Sequence, residues 1–164
     1  YGDGTLTQPV IRAALSHPLC VVDAQKQPKR YAGATIFTPN LPEAEQAVGY
    51  ALTNPGGKPD SGLIRRAGED LLALTQAQQI LITRGEDGMS LFDQDGSEHY
   101  IPAFNRTDVF DVTGAGDTVV AALTLGRIAG ASAWESAVLG NLAASIVVRQ
   151  FGTTTTTPSE MKAA

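Results

Sequence analysis

The chain has 164 residues, enough for one domain with a sizeable core. Its 12 Lys and Arg against 17 Asp and Glu leave a net charge of -5, and no basic cluster stands out, which argues against a nucleic-acid surface. One cysteine (Cys20) and two histidines (His17 and His99) cannot build a disulfide framework or a Cys/His metal site; no apolar stretch is long enough to span a bilayer and no signal peptide is visible, so a reducing, cytoplasmic setting away from membranes is expected.

In chain order, Thr5 or Thr7 can cap a helix running to about Ser16, with Pro9 compatible with its first turn. "LCVVD" (Leu19–Asp23) is a short apolar run ending in a carboxylate, the pattern of a buried parallel strand, and Cys20 in it reads as a small core residue. "GATIFTPN" (Gly33–Asn40) repeats that pattern and is stopped by Pro39. "PEAEQAVGYAL" reads as a helix starting at a proline, and "NPGGKPDSG" (Asn54–Gly62) as a loop. "LIRRAGEDLLALTQ" has helical spacing, with Leu63, Ala67, Leu71 and Leu74 on or near one face. "QILITRGEDG" is a strand that ends in a polar loop, and "MSLFDQDGSEHYIPAF" is a hairpin turning at Asp95-Gly96. Two helices follow, at about Ala115–Ala129 and Ala133–Gln150, with Trp134 expected to pack near the start of the second. In the threonine-rich tail, Thr157 as N-cap, Pro158 at the first helical position and Glu160 form a capping-box pattern.

Alternating strands and helices imply an α/β fold with a largely parallel sheet and helices on both faces. Ligands bind such sheets at the carboxyl ends of the strands. The polar tips there are Asp23, Asn40, Thr83–Gly85 and the loop from Asp111 to Asp117. The P-loop string GxxxxGK[ST] is absent. The dinucleotide string GxGxxG also fails, because Gly114 and Gly116 are not followed by a third glycine at the required place.

What remains is Gly-Ala-Gly at a helix start. The first backbone N–H groups of a helix have no internal partner, and small residues let a phosphoryl oxygen approach them. Gly114, Ala115 and Gly116 can therefore form an anion hole, and Asp117 beside it could accept a proton from an attacking hydroxyl. An aspartate in a first helical turn is equally good helix electrostatics, and spacing alone leaves both readings open. Asn40 and Glu43, three residues apart, could likewise hold a hydrated magnesium ion or simply cap a helix.

These strings resemble a family. "DVTGAGDT" (Asp111–Thr118) resembles the signature D-x-x-G-A-G-D of the ribokinase-like (PfkB) carbohydrate kinases. "TPNLPEAE" resembles the N-x-x-E motif of that family. "LITRGEDG" with its hairpin, and "GNLAASIVVRQFGT", continue the likeness in family order. "YGDGTL" and "DVTGAGDTV" look most like the branch that phosphorylates D-glycero-D-manno-heptose 7-phosphate.

The resemblance implies a three-layer α/β/α fold with a mostly parallel sheet plus a β-hairpin, present as the C-terminal portion, because family members are roughly twice this length and carry their sugar-binding half and lid first. It implies ATP-dependent phosphoryl transfer to a sugar or sugar-phosphate hydroxyl, at C1 if the acceptor is heptose 7-phosphate. Asp117 would be the catalytic base and Gly114, Ala115 and Gly116 the anion hole. Asn40 and Glu43 would organise Mg2+ through water. Thr83, Arg84, Gly85, Asn141 and Gly152 would lie on the nucleotide side, and Asp111 would stand where many members bind a monovalent cation such as K+. One departure is Asp23-Ala24-Gln25-Lys26, which places Lys26 one position beyond the Asp-Pro-Lys usual in heptose kinases. Two other readings stay open: a nucleotide-binding fragment, inactive alone, that forms a homo-oligomer or pairs with the missing N-terminal half, and a dinucleotide-dependent oxidoreductase. Tyr1 in place of an initiator Met predicts a fragment or a processed product.

Overall fold

The computed structural model describes residues 4–104 and 109–164. Tyr1–Asp3 of the "YGDGTL" string and the stretch 105–108 lie outside the described residues. The element order is α1 (Gln8–Leu15), β1 (Val21–Val22), β2 (Ile36–Phe37), α2 (Leu41–Val48), α3 (Ser61–Thr75), β3 (Gln79–Thr83), β4 (Met89–Asp93), β5 (Glu98–Ile101), α4 (Ala115–Ile128), α5 (Ala133–Val147) and α6 (Pro158–Ala163). Short 3-10 turns at Pro28–Tyr31 and Gly85–Asp87 are additions that periodicity does not announce.

The five strands form one sheet of order β1-β2-β3-β4-β5. β1, β2 and β3 are parallel, in the registers Val21↔Ile36 and Ile36↔Gln79. Gln79, first in β3, donates its side-chain amide to Asp93, last in β4, at 2.7 Å. That end-to-start pairing marks β4 as antiparallel to β3. β4 and β5 form the expected hairpin, closed by the Asp93 N–H on the Ser97 carbonyl at 3.0 Å.

β1 and β2 are shorter than their apolar runs. Beyond Phe37 the chain continues extended but pairs through single links: the Thr38 N–H donates to the Val22 carbonyl at 2.9 Å, and Asn40 forms a one-residue parallel bridge with Thr83.

Two compact units divide the chain, one running up to Arg84 and including Ser90–His99, the other comprising Gly85–Met89 and Tyr100–Ala164. The core of the first gathers Ile11, Phe37, Leu52, Ile64, Leu71, Ile80, Ile82 and Phe92, each at most 3% exposed. Burying one such side chain contributes about 1.5–3 kcal/mol. Cys20 packs half-buried against this cluster, and burial pushes its thiol pKa up, as a structural cysteine requires. Ile64 joins Ala67 and Leu71 on the buried face of α3, with Leu63 and Leu74 partly buried beside them.

Helix limits follow local capping. α2 stops at Val48, before the expected end, because Gly49 takes the left-handed conformation and turns the chain. α3 starts at Ser61, earlier than expected, because the Asp60 carboxylate accepts the Gly62 and Leu63 N–H groups at 2.9 and 3.0 Å. α6 forms as its sequence predicts: Thr157 Oγ1 caps the Glu160 N–H, and Glu160 reaches back to the Thr157 N–H at 2.7 Å.

In the second unit α4 packs on α5 through small residues. A side chain at Gly140 would press on the Val119 carbonyl, and one at Gly126 on the Ser136 hydroxyl. Trp134 is 46% exposed and does not pack as expected: the buried face of α5 runs through Ala133, Ser136, Ala137 and Gly140, and Trp134 lies off it.

Candidate active site

The Asp111–Asp117 loop is built entirely within the second unit. Gly114 is the N-cap of α4 and sits at φ 79°, a left-handed conformation that turns the incoming chain onto the helix axis. A Cβ there would lie 3.0 Å from the Thr153 methyl, so the Gly114 backbone already rests against that side chain. Asp117 is in the first turn and exposed. Its carboxylate has no hydrogen-bond partner among the described residues.

The donors at this helix start differ in one respect from the expected set. The Ala115 N–H donates to the Val112 carbonyl at 3.1 Å and is thereby committed to the turn. The Gly114, Gly116 and Asp117 N–H groups, by contrast, have no acceptor among the described residues. They are the unpaired donors at the helix start, where the helix dipole favours negative charge. Ala115 thus drops out of the expected donor set, and Asp117 joins Gly114 and Gly116 as a spare donor among the described residues.

Asp111 turns its carboxylate onto backbone. One oxygen accepts the Thr113 N–H at 2.9 Å, the other the Gly152 N–H at 2.9 Å. The Thr113 and Gly152 hydrogen bonds hold its pKa below the usual carboxylate range. The Phe110 and Asp111 N–H groups both donate to the Val148 carbonyl, at 2.8 and 3.2 Å. The loop is therefore fastened to the exit of α5. The sequence points to Asp111 for a monovalent cation and to Gly152 for the nucleotide side, but not to their mutual hydrogen bond, the Val148 carbonyl or Thr153. A backbone acceptor has no sequence signature, whereas Thr153 was visible only as one of a threonine run.

Asn141 is 5% exposed and donates its side-chain amide to the Pro102 carbonyl at 2.7 Å, which fixes that segment against α5.

In the first unit Asn40 and Glu43 form a full capping box on α2. Asn40 Oδ1 accepts the Glu43 N–H, and Glu43 Oε2 accepts the Asn40 N–H, both at 2.9 Å. Thr83 lies beside Asn40: the two residues bridge, and the Thr83 N–H donates to the Pro39 carbonyl at 3.0 Å. Arg84 follows Thr83 and is half-buried. Gly85 opens the short turn, its carbonyl accepting the Gly88 N–H at 3.0 Å. The structure thus brings Asn40, Glu43 and Thr83 together at the carboxyl ends of β2 and β3.

No group of three His, Cys, Asp or Glu side chains among the described residues could hold a metal ion directly. The capping box leaves Glu43 Oε1 without a partner among those residues, which suits a hydrated ion held through water and not a dehydrated cage. Lys26 is exposed, as are His17 and His99. No helix among the described residues is long and apolar enough to cross a membrane.

Comparison with known proteins agrees with this architecture. The sequence matches the pfkB family carbohydrate kinase pattern over residues 3–160. It is 42% identical over 167 aligned positions to "Bifunctional protein HldE" of Geobacter metallireducens, covering 98% of this chain and 33% of that protein. It is 41% identical to the protein of that name from Geotalea uraniireducens, again covering 98% and 33%. The chain therefore spans about a third of the length of these curated relatives. Its fold is similar to phosphofructokinase-2 from Escherichia coli in complex with potassium, at TM-score 0.80, 22% identity and coverage of 95% of this chain and 50% of that one. It is also similar to ribokinase from Thermotoga maritima, at TM-score 0.77, 22% identity and coverage of 93% and 51%. The fold is ribokinase-like α/β, and by the match along nearly its whole length the chain belongs to the pfkB family of carbohydrate kinases.

Proposed function

We propose that this chain is the nucleotide-binding and catalytic-base part of a kinase that transfers the γ-phosphoryl group of ATP to a hydroxyl of a sugar or sugar phosphate. The observation that supports this best is the pairing, at one helix start, of an exposed Asp117 carboxylate with the Gly114, Gly116 and Asp117 N–H groups, none of which has a partner among the described residues. In the proposed reaction the acceptor hydroxyl loses its proton to Asp117. Its oxygen bonds to the γ-phosphorus while the bond from that phosphorus to the bridging oxygen of ADP breaks. The helix-start N–H groups and the small residues Gly114–Gly116 stabilise the charge on the phosphoryl oxygens in flight.

Asn40 and Glu43 are the residues that would hold magnesium, through water on Glu43 Oε1. Bound there, the ion supplies charge to offset the phosphates. Thr83, Arg84, Gly85, Asn141 and Gly152 belong, in this proposal, to the nucleotide side. Asp111 acts as a loop fastener, since both its oxygens already accept backbone N–H groups. The acceptor we favour is D-glycero-D-manno-heptose 7-phosphate at C1, on the likeness of "YGDGTL" and "DVTGAGDTV" to that branch. A cytoplasmic location suits an ATP-dependent enzyme with a single, half-buried cysteine. Residues contacting the sugar belong to the sugar-binding half that the resemblance puts in a separate part of the polypeptide, so the chain alone is expected to bind nucleotide without turning over.

Equilibrium dialysis on the full-length protein checks the nucleotide class. ATP with magnesium is expected to bind saturably and NAD not to compete. Binding of NAD with exclusion of ATP would overturn the kinase reading in favour of a dinucleotide-dependent oxidoreductase.

A further inference from the structure

Phe110 and Phe151 are 61% and 80% exposed, more than a core role explains, and yet they face each other with ring centroids 5.6 Å apart and planes inclined at 48°. They flank a set of ties between the same two segments. The Val148 carbonyl takes the Phe110 and Asp111 N–H groups, Asp111 takes the Gly152 N–H, and the Thr153 methyl lies under Gly114. Every one of these contacts runs from the loop before α4 to the exit of α5.

We propose that Phe151 and Thr153 are positioning residues that clamp the Phe110–Gly114 loop and so fix the orientation of the Gly116 and Asp117 N–H groups. This rests on the phosphoryl-transfer reading of that helix start. The physical case is one of constraint. Among the described residues two local links hold the loop's shape, Asp111 to the Thr113 N–H and Ala115 to the Val112 carbonyl. Neither link ties the turn to the rest of the unit. The hydrogen bonds to Val148 and from Gly152 supply that tie, and the clamp reinforces it: Phe151 packs on Phe110, and Thr153 against the left-handed Gly114 sets the depth at which the turn sits. Because the two rings are so exposed, they bury little area for the fold. Removing one should release the loop without unfolding the unit. A donor pair that drifts by a fraction of an ångström loses much of its advantage at the transition state.

The test uses the full-length protein and the variants Phe151→Ala, Phe151→Tyr and Thr153→Ser. Amide hydrogen exchange is followed at Thr113 and Gly152, whose N–H groups report the Asp111 ties, with thermal unfolding as the control. Phe151→Ala is expected to speed exchange at both amides about 3- to 10-fold, the scale of one ring pair, with little change in melting temperature. kcat should fall by a similar factor while the KM for sugar holds. Phe151→Tyr, which keeps the ring, should restore all three. Thr153→Ser, which removes the methyl under Gly114, should reproduce the local loosening even if Phe151→Ala fails to fold. Unchanged exchange and kcat in both Phe151→Ala and Thr153→Ser overturn the clamp, as does equal damage in Phe151→Tyr. Faster exchange in a protein whose wild type transfers no phosphoryl group upholds the clamp and removes the kinase reading instead.

Discussion

Asp117→Asn in the full-length protein is expected to lower kcat for phosphoryl transfer about 1,000-fold, within the range of about 100- to 10,000-fold that a positioned general base contributes. The amide keeps the shape of the side chain and its place in the first turn of α4, but it cannot take the hydroxyl proton. Nothing among the described residues depends on the Asp117 carboxylate for a hydrogen bond, so the fold has little to lose. Loss of a favourable charge at a helix start costs only about 0.3–1 kcal/mol. The KM for ATP should change little or fall, since a negative charge next to the phosphates is removed. Steady-state kinetics with a coupled ADP assay reads both quantities. A kcat within about 3-fold of wild type would be too close for loss of a base and would reduce Asp117 to a helix-dipole residue.

Gly88→Ala should produce the largest loss of stability. Gly88 sits at φ 79°, and a Cβ there would overlap the Ile101 carbonyl oxygen and fall 2.6 Å from the Ala103 nitrogen. These are backbone atoms at the end of β5, so no rotamer change can relieve the overlap. The left-handed conformation alone costs a non-glycine residue about 1–2 kcal/mol. The displacement of a strand end adds to that and brings the expected total to about 4 kcal/mol, at the extreme end of single substitutions. Urea unfolding of wild type and variant measures it. A destabilisation near 1 kcal/mol would mean that the strand end yields easily and the close approach is not tight.

How far the sequence could be read depended on the range of the interaction involved. Capping boxes are local, and their spacing announced them: Asn40 with Glu43 and Thr157 with Glu160 form as the residue types predict. The apolar runs of β1, β2 and β3 revealed the parallel sheet, though not that only two residues of β1 and β2 would form full ladders. Hydrophobicity could not place Trp134, because α5 is apolar nearly all round and its buried face is chosen by where small residues admit α4. The signature loop was legible as a glycine-rich helix start, but its fastening was not. Asp111 and Gly152 are 41 residues apart, and the Val148 acceptor is a carbonyl that any residue would supply. The same limit hid the commitment of the Ala115 N–H to Val112, which leaves Gly114, Gly116 and Asp117 as the spare donors among the described residues. For Asn40 and Glu43 the structure shows the capping box in full and leaves Glu43 Oε1 without a partner among the described residues.

The most direct measurement of the central claim is an assay of the full-length protein with ATP and magnesium against a panel of sugars and sugar phosphates, followed by phosphorus NMR of the products. The account predicts ADP and one phosphorylated sugar in equal amounts, with heptose 7-phosphate the preferred acceptor and the new phosphate on C1. ATP hydrolysis without a phosphorylated sugar, or no consumption of ATP with any acceptor, would contradict it.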